Sequence, residues 1–263
     1  MAIITNGTPN YTLGRGKLYF ARFTSGQVPG PFRYVGNTPE FNLSIESETL
    51  DHYSSDEGIR EKDAGVPLEV TRSGSMICDD IQAENIALFF FGSVQSLTQV
   101  AALSQTESFV GVSPGDVYQI GLTLNNRVGT RGISNFSMEP MGGGTAYVAG
   151  TDYSVDLDRA MFSIPSVGSA IAANTDIDVL FDIDAATSTR VLSGSEPVEG
   201  ALRYIENNPK GLDQDVFLPY VRITPNGDLA LKGDEWRQIP FSIEALKPSS
   251  GEAIYVDGQP LRT

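Results

Sequence analysis

"ETLDHYSSDEGIREKDAGVP", Glu48 to Pro67, decides how this chain folds. The segment before it, "PEFNLSIESE", alternates strictly, with Phe41, Leu43 and Ile45 on one face and Asn42, Ser44 and Glu46 on the other. That is the pattern of a strand with one wet side. The alternation then gives way to charge, Ser and Gly, including Glu48, Asp51, His52, Asp56, Glu57, Arg60, Glu61, Lys62 and Asp63. "PLEVTRSGSMI" resumes the extended pattern, with Leu68 and Val70 on one face. Two alternating arms around a polar insert predict a long β-hairpin with an extended, charged loop at its tip.

Working outward, "CDDIQAENIALFFFG" predicts the one good helix, over about 79–91. Asp79 or Asp80 can cap its first turn, Glu84 suits the N-terminal dipole, and Gly92 is a natural stop. Ala83, Ile86 and Phe90 recur at helical spacing and Phe89 widens the stripe, so Ile86, Phe89 and Phe90 are the expected packing residues. "GKLYFARF", after a glycine turn, reads as an early strand. The texture changes between 105 and 186, where short strands and Gly-rich turns replace helix signals. There "DYSVDLDRAMFSI" reads as a hairpin. "TDIDVLFDID" points Ile177, Val179, Phe181 and Ile183 inward and Asp176, Asp178, Asp182 and Asp184 to solvent. In the C-terminal part, "LPYVRITPNGDLALKG" predicts a hairpin turning at Asn226-Gly227. "EWRQIPFSIEAL" closes the sheet with Ile239, Phe241 and Ile243 inward, and Pro240 implies an edge or a bulge. The fold class is mainly β: a sandwich or barrel with one flanking helix, a long β-hairpin loop and a β-rich inserted segment. The expected organisation is a first part over 1–104, the insert over 105–186 and closing strands over 187–263.

Composition narrows the function. The 263 residues carry 33 acidic and 18 basic side chains, a net charge of −15. Such a surface repels nucleic acid and anionic membranes, and the clustered cations of a phosphate-binding face are missing. The single cysteine, Cys78, excludes an intrachain disulfide. The start of the chain lacks the basic and apolar regions of a signal peptide, and "IALFFFG" is too short to cross a bilayer. The expectation is a soluble product of a reducing cytoplasm with no membrane anchor.

Catalytic constellations are thin. A Ser-His-Asp relay would have to use His52, the sole histidine, on a charged loop. The plainer reading is a solvated loop residue. Cys78 reads as a small buried hydrophobe rather than a nucleophile. There is no zinc constellation, and the aspartate alternation lacks the glycine and spacing of a calcium loop. "LGRGK" lacks the spacer and Ser/Thr of a phosphate loop. No catalytic residue, metal or cofactor is expected, and the inventory suits an assembly protein.

Three stretches carry a resemblance: "LGRGKLYFARF", "YVGNTPEFNLSIESETLDHYSSDEGIREKD" and "TRSGSMICDDIQAENIALFFFG". In this order they resemble the major tail tube protein of long-tailed, siphovirus-like bacteriophages. "NPKGLDQDVFLPYVRITPNGDLALKGDEWRQIPFSIEAL" is similar to that family's closing strands. The likeness covers roughly 11–104 and 187–263. It implies a structural virion protein assembled in the host bacterial cytoplasm. Its partners would be further copies of itself in hexameric rings stacked into a tube, the tape measure protein, and the tail tip and head-proximal terminator proteins. Genomic DNA would pass through the lumen without specific binding. The charged loop (Glu48, Asp51, His52, Asp56, Glu57, Arg60, Glu61, Lys62, Asp63) would tie one ring to the next. Glu46, Glu48 and Glu69 are the candidate lumen-facing acids, placed to repel the DNA backbone.

Two other readings compete. A monomeric sugar- or ligand-binding β-sandwich would present aromatics such as Tyr147, Tyr153 and Trp236 as a platform. An acid-dependent hydrolase would rely on His52 and a pair of carboxylates. An exposed loop without a role is the plainer reading of the charged stretch.

Overall fold

The computed structural model describes residues 11–56 and 58–258. Its regular structure is almost wholly antiparallel strand. The first five are β1 (Gly16–Ser25), β2 (Val28–Pro29), β3 (Arg33–Tyr34), β4 (Glu40–Ser54) and β5 (Glu61–Cys78). Helix α1 (Ala83–Phe89) follows, then β6 (Ser93–Gln99) and β7 (Ala102–Val112). Short strands β8 (Val117–Gln119), β9 (Ile133–Pro140), β10 (Ser154–Asp156) and β11 (Met161–Ser163) come next, then β12 (Thr175–Ile183) and β13 (Ala186–Leu192). The chain closes with β14 (Val198–Glu206), β15 (Gln214–Pro225), β16 (Ile239–Ala245) and β17 (Tyr255–Gly258). The chain divides into two compact units, 1–95 with 191–263, and 96–190. The sequence reading had set these boundaries at 104/105 and 186/187.

The first unit is organised by one sheet in the order β2-β1-β14-β15-β16-β5-β4, with β3 paired to β1 and β17 to β15. Its inward residues follow the period-two rule, reset on β15 by a bulge between Leu218 and Val221: Leu18 and Phe20 on β1, Leu202 on β14, Leu218 and Ile223 on β15, Phe241 and Ile243 on β16, and Met76 on β5 form one cluster. Full burial of each large side chain contributes about 1.5–3 kcal/mol. Phe41 of β4 meets Tyr204 of β14 at 5.6 Å between ring centroids. Three strands separate them in the sheet order, so the sheet curls around its own core.

Helix α1 is shorter than the sequence predicted and is not capped by Asp79 or Asp80. Gln82 takes the cap position without a side-chain cap hydrogen bond. A seven-residue helix depends on packing. The face it buries is Asn85, Ala87 and Leu88. Ile86 and Phe89 pack against the cluster, Phe89 edge-on to Phe241 at 6.3 Å, but Phe90 is 41% exposed. The expected packing stripe is therefore rotated toward Leu88. The left-handed residue after the helix is Phe91, with φ 53°, not Gly92. Gly92 is required for another reason: a Cβ there would collide with the Leu192 carbonyl.

Buried polar chemistry at this corner is concentrated on Asn85. Its Nδ2 donates to the carbonyls of Val35 at 2.6 Å and Asp80 at 2.8 Å, and its Oδ1 accepts from Arg33 at 2.8 Å. Cys78 is fully buried beside it, and burial pushes its thiol pKa up.

Two C-terminal expectations differ from the structure. Asn226-Gly227 does not close a two-residue hairpin. β15 ends at Pro225, and the connection runs irregularly to Ile239. "DLALKG" contributes no strand: Gly227 takes a positive φ of 95°, as a turn glycine does, but the residues after it pair with no strand. Pro240 lies on an interior strand, opposite Ile77 of β5, just beyond the last β15–β16 pair at Pro225–Phe241. The ladder on one side has already stopped there, so the missing donor costs nothing.

The second unit has its own core, including Phe109, Tyr118, Phe136, Phe162, Ile177 and Val179. Phe162 meets Phe109 edge-on at 5.0 Å and stacks on Tyr118 at 5.2 Å. β12 is central in the sheet β7-β12-β9. The outward aspartates of β12 do more than solvate. Asp178 accepts from Ser108 and the Gly142 N–H, and Asp182 from Asn135 and the Ser104 N–H. Asp176 and Asp184 accept from the Gly111 N–H and Ser134. They tie β12 and the residue that follows it to flanking segments, a role beyond the solvent-facing one expected from the alternation.

Candidate functional site

The site that stands out is the hairpin made by β4 and β5. Sequence predicted a charged loop over Glu48–Pro67, but most of that stretch is strand. Pairing runs without a break in hand from Glu40–Ile77 to Ser54–Glu61, with irregularities only after Glu48 and after His52. β4 ends at Ser54 and β5 begins at Glu61. Polar side chains did not prevent strand formation because the ladder is a backbone property, and alternation continues through Thr49, Leu50 and Val66.

β16 covers β5 only from Ser73 to Cys78. From 61 to 72, β5 pairs with β4 alone, so a bare two-stranded ribbon leaves the sheet. At about 3.3 Å per residue it reaches roughly 40 Å. Its apolar side chains lie open: Ile45 is 64%, Leu50 63% and Ile59 78% exposed. Leu43, Val66, Leu68 and Val70 are exposed as well. The sequence reading named Leu43, Ile45, Leu68 and Val70 as apolar faces of the two arms but not their exposure, and it passed over Leu50, Ile59 and Val66. Their signal was present in Leu50 and Val66, which stand directly opposite each other.

The charged residues divide into three groups. Lys62 pairs with Asp51 at 2.6 Å, and that contact raises the Lys62 pKa. His52 Nδ1 lies 2.5 Å from Asp63 Oδ1. The Arg60 guanidinium sits 5.5 Å from the centre of the Tyr53 ring. These contacts lie within the arm and stiffen its end. Asp56 and Glu61 are exposed, Glu61 facing Ser54 across the ladder. Glu57 lies outside the described residues. His52 rests on an exposed tip with Asp63 as its polar partner, a geometry of cross-strand pairing.

Glu46, Glu48 and Glu69 come together. Glu48 is directly opposite Glu69, and Glu46 is two residues along the same face, opposite Thr71. Thr71 donates to Glu69 at 3.1 Å. None of the three forms an ion pair among the described residues. Like charges directly opposed in a ladder are destabilising. Among the described residues no group of three or more His, Cys, Asp or Glu is arranged to hold a metal, and no helix is long and apolar enough to cross a membrane.

Tyr147 and Tyr153, two of the aromatics expected for a platform, are engaged by a core. Tyr153 is buried in the second unit's core and Tyr147 packs against that core, while Trp236 belongs to the first unit. Trp236 is 95% exposed beside a concavity of about 660 Å³ lined by the 228–238 loop, Ile77 and Pro240.

The chain belongs to the family described as "Protein of unknown function UCP028589", which matches residues 11–253. No curated protein matches the chain.

Proposed function

We propose that this chain is the repeating subunit of a bacteriophage tail tube, in which hexameric rings stack around a channel that delivers DNA. The observation that carries this reading is the arm. An isolated two-stranded ribbon is marginally stable in water, yet this one extends from 61 to 72 beyond its sheet with apolar side chains uncovered. Such a feature is satisfied by a partner, and a long free edge such as β4 is a liability unless something covers it. A repeating neighbour meets both needs, and a head-to-tail contact whose rotation closes gives a ring. Further copies along the axis would cover the arm tip at Ile59 and the Asp51–Lys62 and His52–Asp63 pairs. A net charge of −15 suits a channel that must not hold phosphate. On this reading Glu46, Glu48 and Glu69, the candidates for its wall from the sequence, belong instead to the arm that a neighbouring copy covers. The tape measure protein, tail tip and terminator would be the other partners, and the virion tail the location.

Deletion of residues 50–64 tests the arm. The expected product keeps the thermal melt of the folded subunit, stays monomeric in sedimentation and forms no tubes. Tubes of normal length from the deleted protein would contradict the proposal.

A further inference from the structure

A line of aromatic and basic side chains crosses the opposite half of the same sheet. Register places Tyr34 opposite Tyr19, Tyr19 opposite Arg203, Arg203 opposite Phe217, and Phe217 opposite Tyr255. Directly opposed residues share a face, and their neighbours Leu18, Phe20, Leu202 and Leu218 fill the core. The line therefore runs over the outside of the sheet. Its rings touch: Tyr19 and Tyr34 are 5.7 Å apart, Phe217 and Tyr255 6.4 Å. The Arg203 guanidinium lies 4.9 Å from the Phe217 ring, and Lys17 Nζ 5.9 Å from the Tyr34 ring.

Two features single this line out. Its composition, Tyr and Arg with a Phe, is that of interface hot spots, yet Tyr34 and Tyr255 remain 41% and 38% exposed. Its cations are also not held in ion pairs, although Asp215 and Asp257 stand in the adjoining row of the same face. Neither Lys17 nor Arg203 forms an ion pair among the described residues, in a chain with a large surplus of carboxylates. The complementary feature is equally without ion pairs: Glu46, Glu48 and Glu69, also on the outward face, at the other end of the strand order.

We infer that the Tyr34–Tyr19–Arg203–Phe217–Tyr255 line receives the acidic face of the β4–β5 arm of a second copy of this chain. This rests on the tube-subunit reading and names its lateral contact. Lys17 and Arg203 neutralise the Glu46, Glu48 and Glu69 cluster, whose Glu48–Glu69 opposition is unfavourable in an isolated subunit. The two patches differ and lie toward opposite edges of the sheet, so each copy gives its arm to one neighbour and receives an arm from another. That is a heterologous contact, which repeats around a ring.

Charge reversal in trans tests it. One variant carries Lys17→Glu with Arg203→Glu, and the other Glu48→Lys with Glu69→Lys. Each is first shown to melt as the wild type does. Alone, each is expected to associate on the order of 100-fold more weakly, because like charges now meet across the contact. An equimolar mixture is expected to recover wild-type association, since both patches are complementary again in an alternating ring. Wild-type assembly by either variant alone, or a mixture that stays monomeric, overturns this contact. If wild-type rings form while the variants are indifferent to charge, the tube reading stands and another partner occupies the line. If the wild type itself never associates, both readings fall.

Discussion

Individual residues in this molecule carry opposing tasks. Glu48 and Glu69 repel each other across the ladder, so Glu69→Lys should raise the melting temperature of the monomer. The gain should be about 0.2–1 kcal/mol in urea denaturation, even though the same change is expected to impair assembly. A melting temperature that fell would show that the pair is satisfied within one subunit. Asn85 is the reverse case. Asn85→Ala leaves the Val35 and Asp80 carbonyls and the partly buried Arg33 without their partner, a loss of about 3 kcal/mol. The pH response belongs to Asp178 and Asp182, whose pKa values lie below the ordinary 3.8 because Ser108 and Asn135, respectively, donate to the charged forms, with backbone N–H groups helping. Their stabilisation is present above the unfolded value and is lost as pH falls through the folded values. Acid unfolding of the second unit should therefore shift to higher pH in Asp182→Asn, followed by near-ultraviolet circular dichroism. Sequence placed these aspartates on the outward face, but their donors lie far away in the chain, Asn135 and Ser108 among them. Nothing local announces such pairing.

At the scale of elements, the decisive one is the β4–β5 ribbon. Hydrogen exchange should divide it sharply. Amides at 75–77, flanked on both sides by β16 and β4, should be protected to nearly the global stability, and those at 62–71 should exchange much faster in the monomer. Assembly should slow the outer amides. Uniform protection along the ribbon in a dilute monomer would contradict its isolation. The hairpin itself was legible, since alternation on both arms set its register and faces. Its length was not. Charge density was read as loop, although strand pairing needs only backbone groups and the insert kept enough alternation to continue. Asn226-Gly227 misled in the opposite direction, because the dipeptide reports a local turn while the residues after it find no partner strand. The helix was found in place but mis-rotated: Leu88 and Asn85 face the core, and the apolar run over 88–91 offered no means of choosing among its phases.

For the whole molecule, the two units and their separate cores argue for separate folding. A polypeptide spanning 96–190 should fold cooperatively on its own core around Phe162 and Ile177. Its boundaries were approximate in the sequence because texture changes gradually near 100 and 190. The aromatic line was invisible there, since Tyr19 and Arg203 meet only through β1–β14 pairing. The larger claim is that this subunit is completed by its own copies. Electron cryomicroscopy of concentrated wild-type protein tests it most directly. The account predicts stacked rings of six subunits around an open channel, with each arm seated on a neighbour. Particles that remain single subunits at every concentration, arms bare, would contradict it.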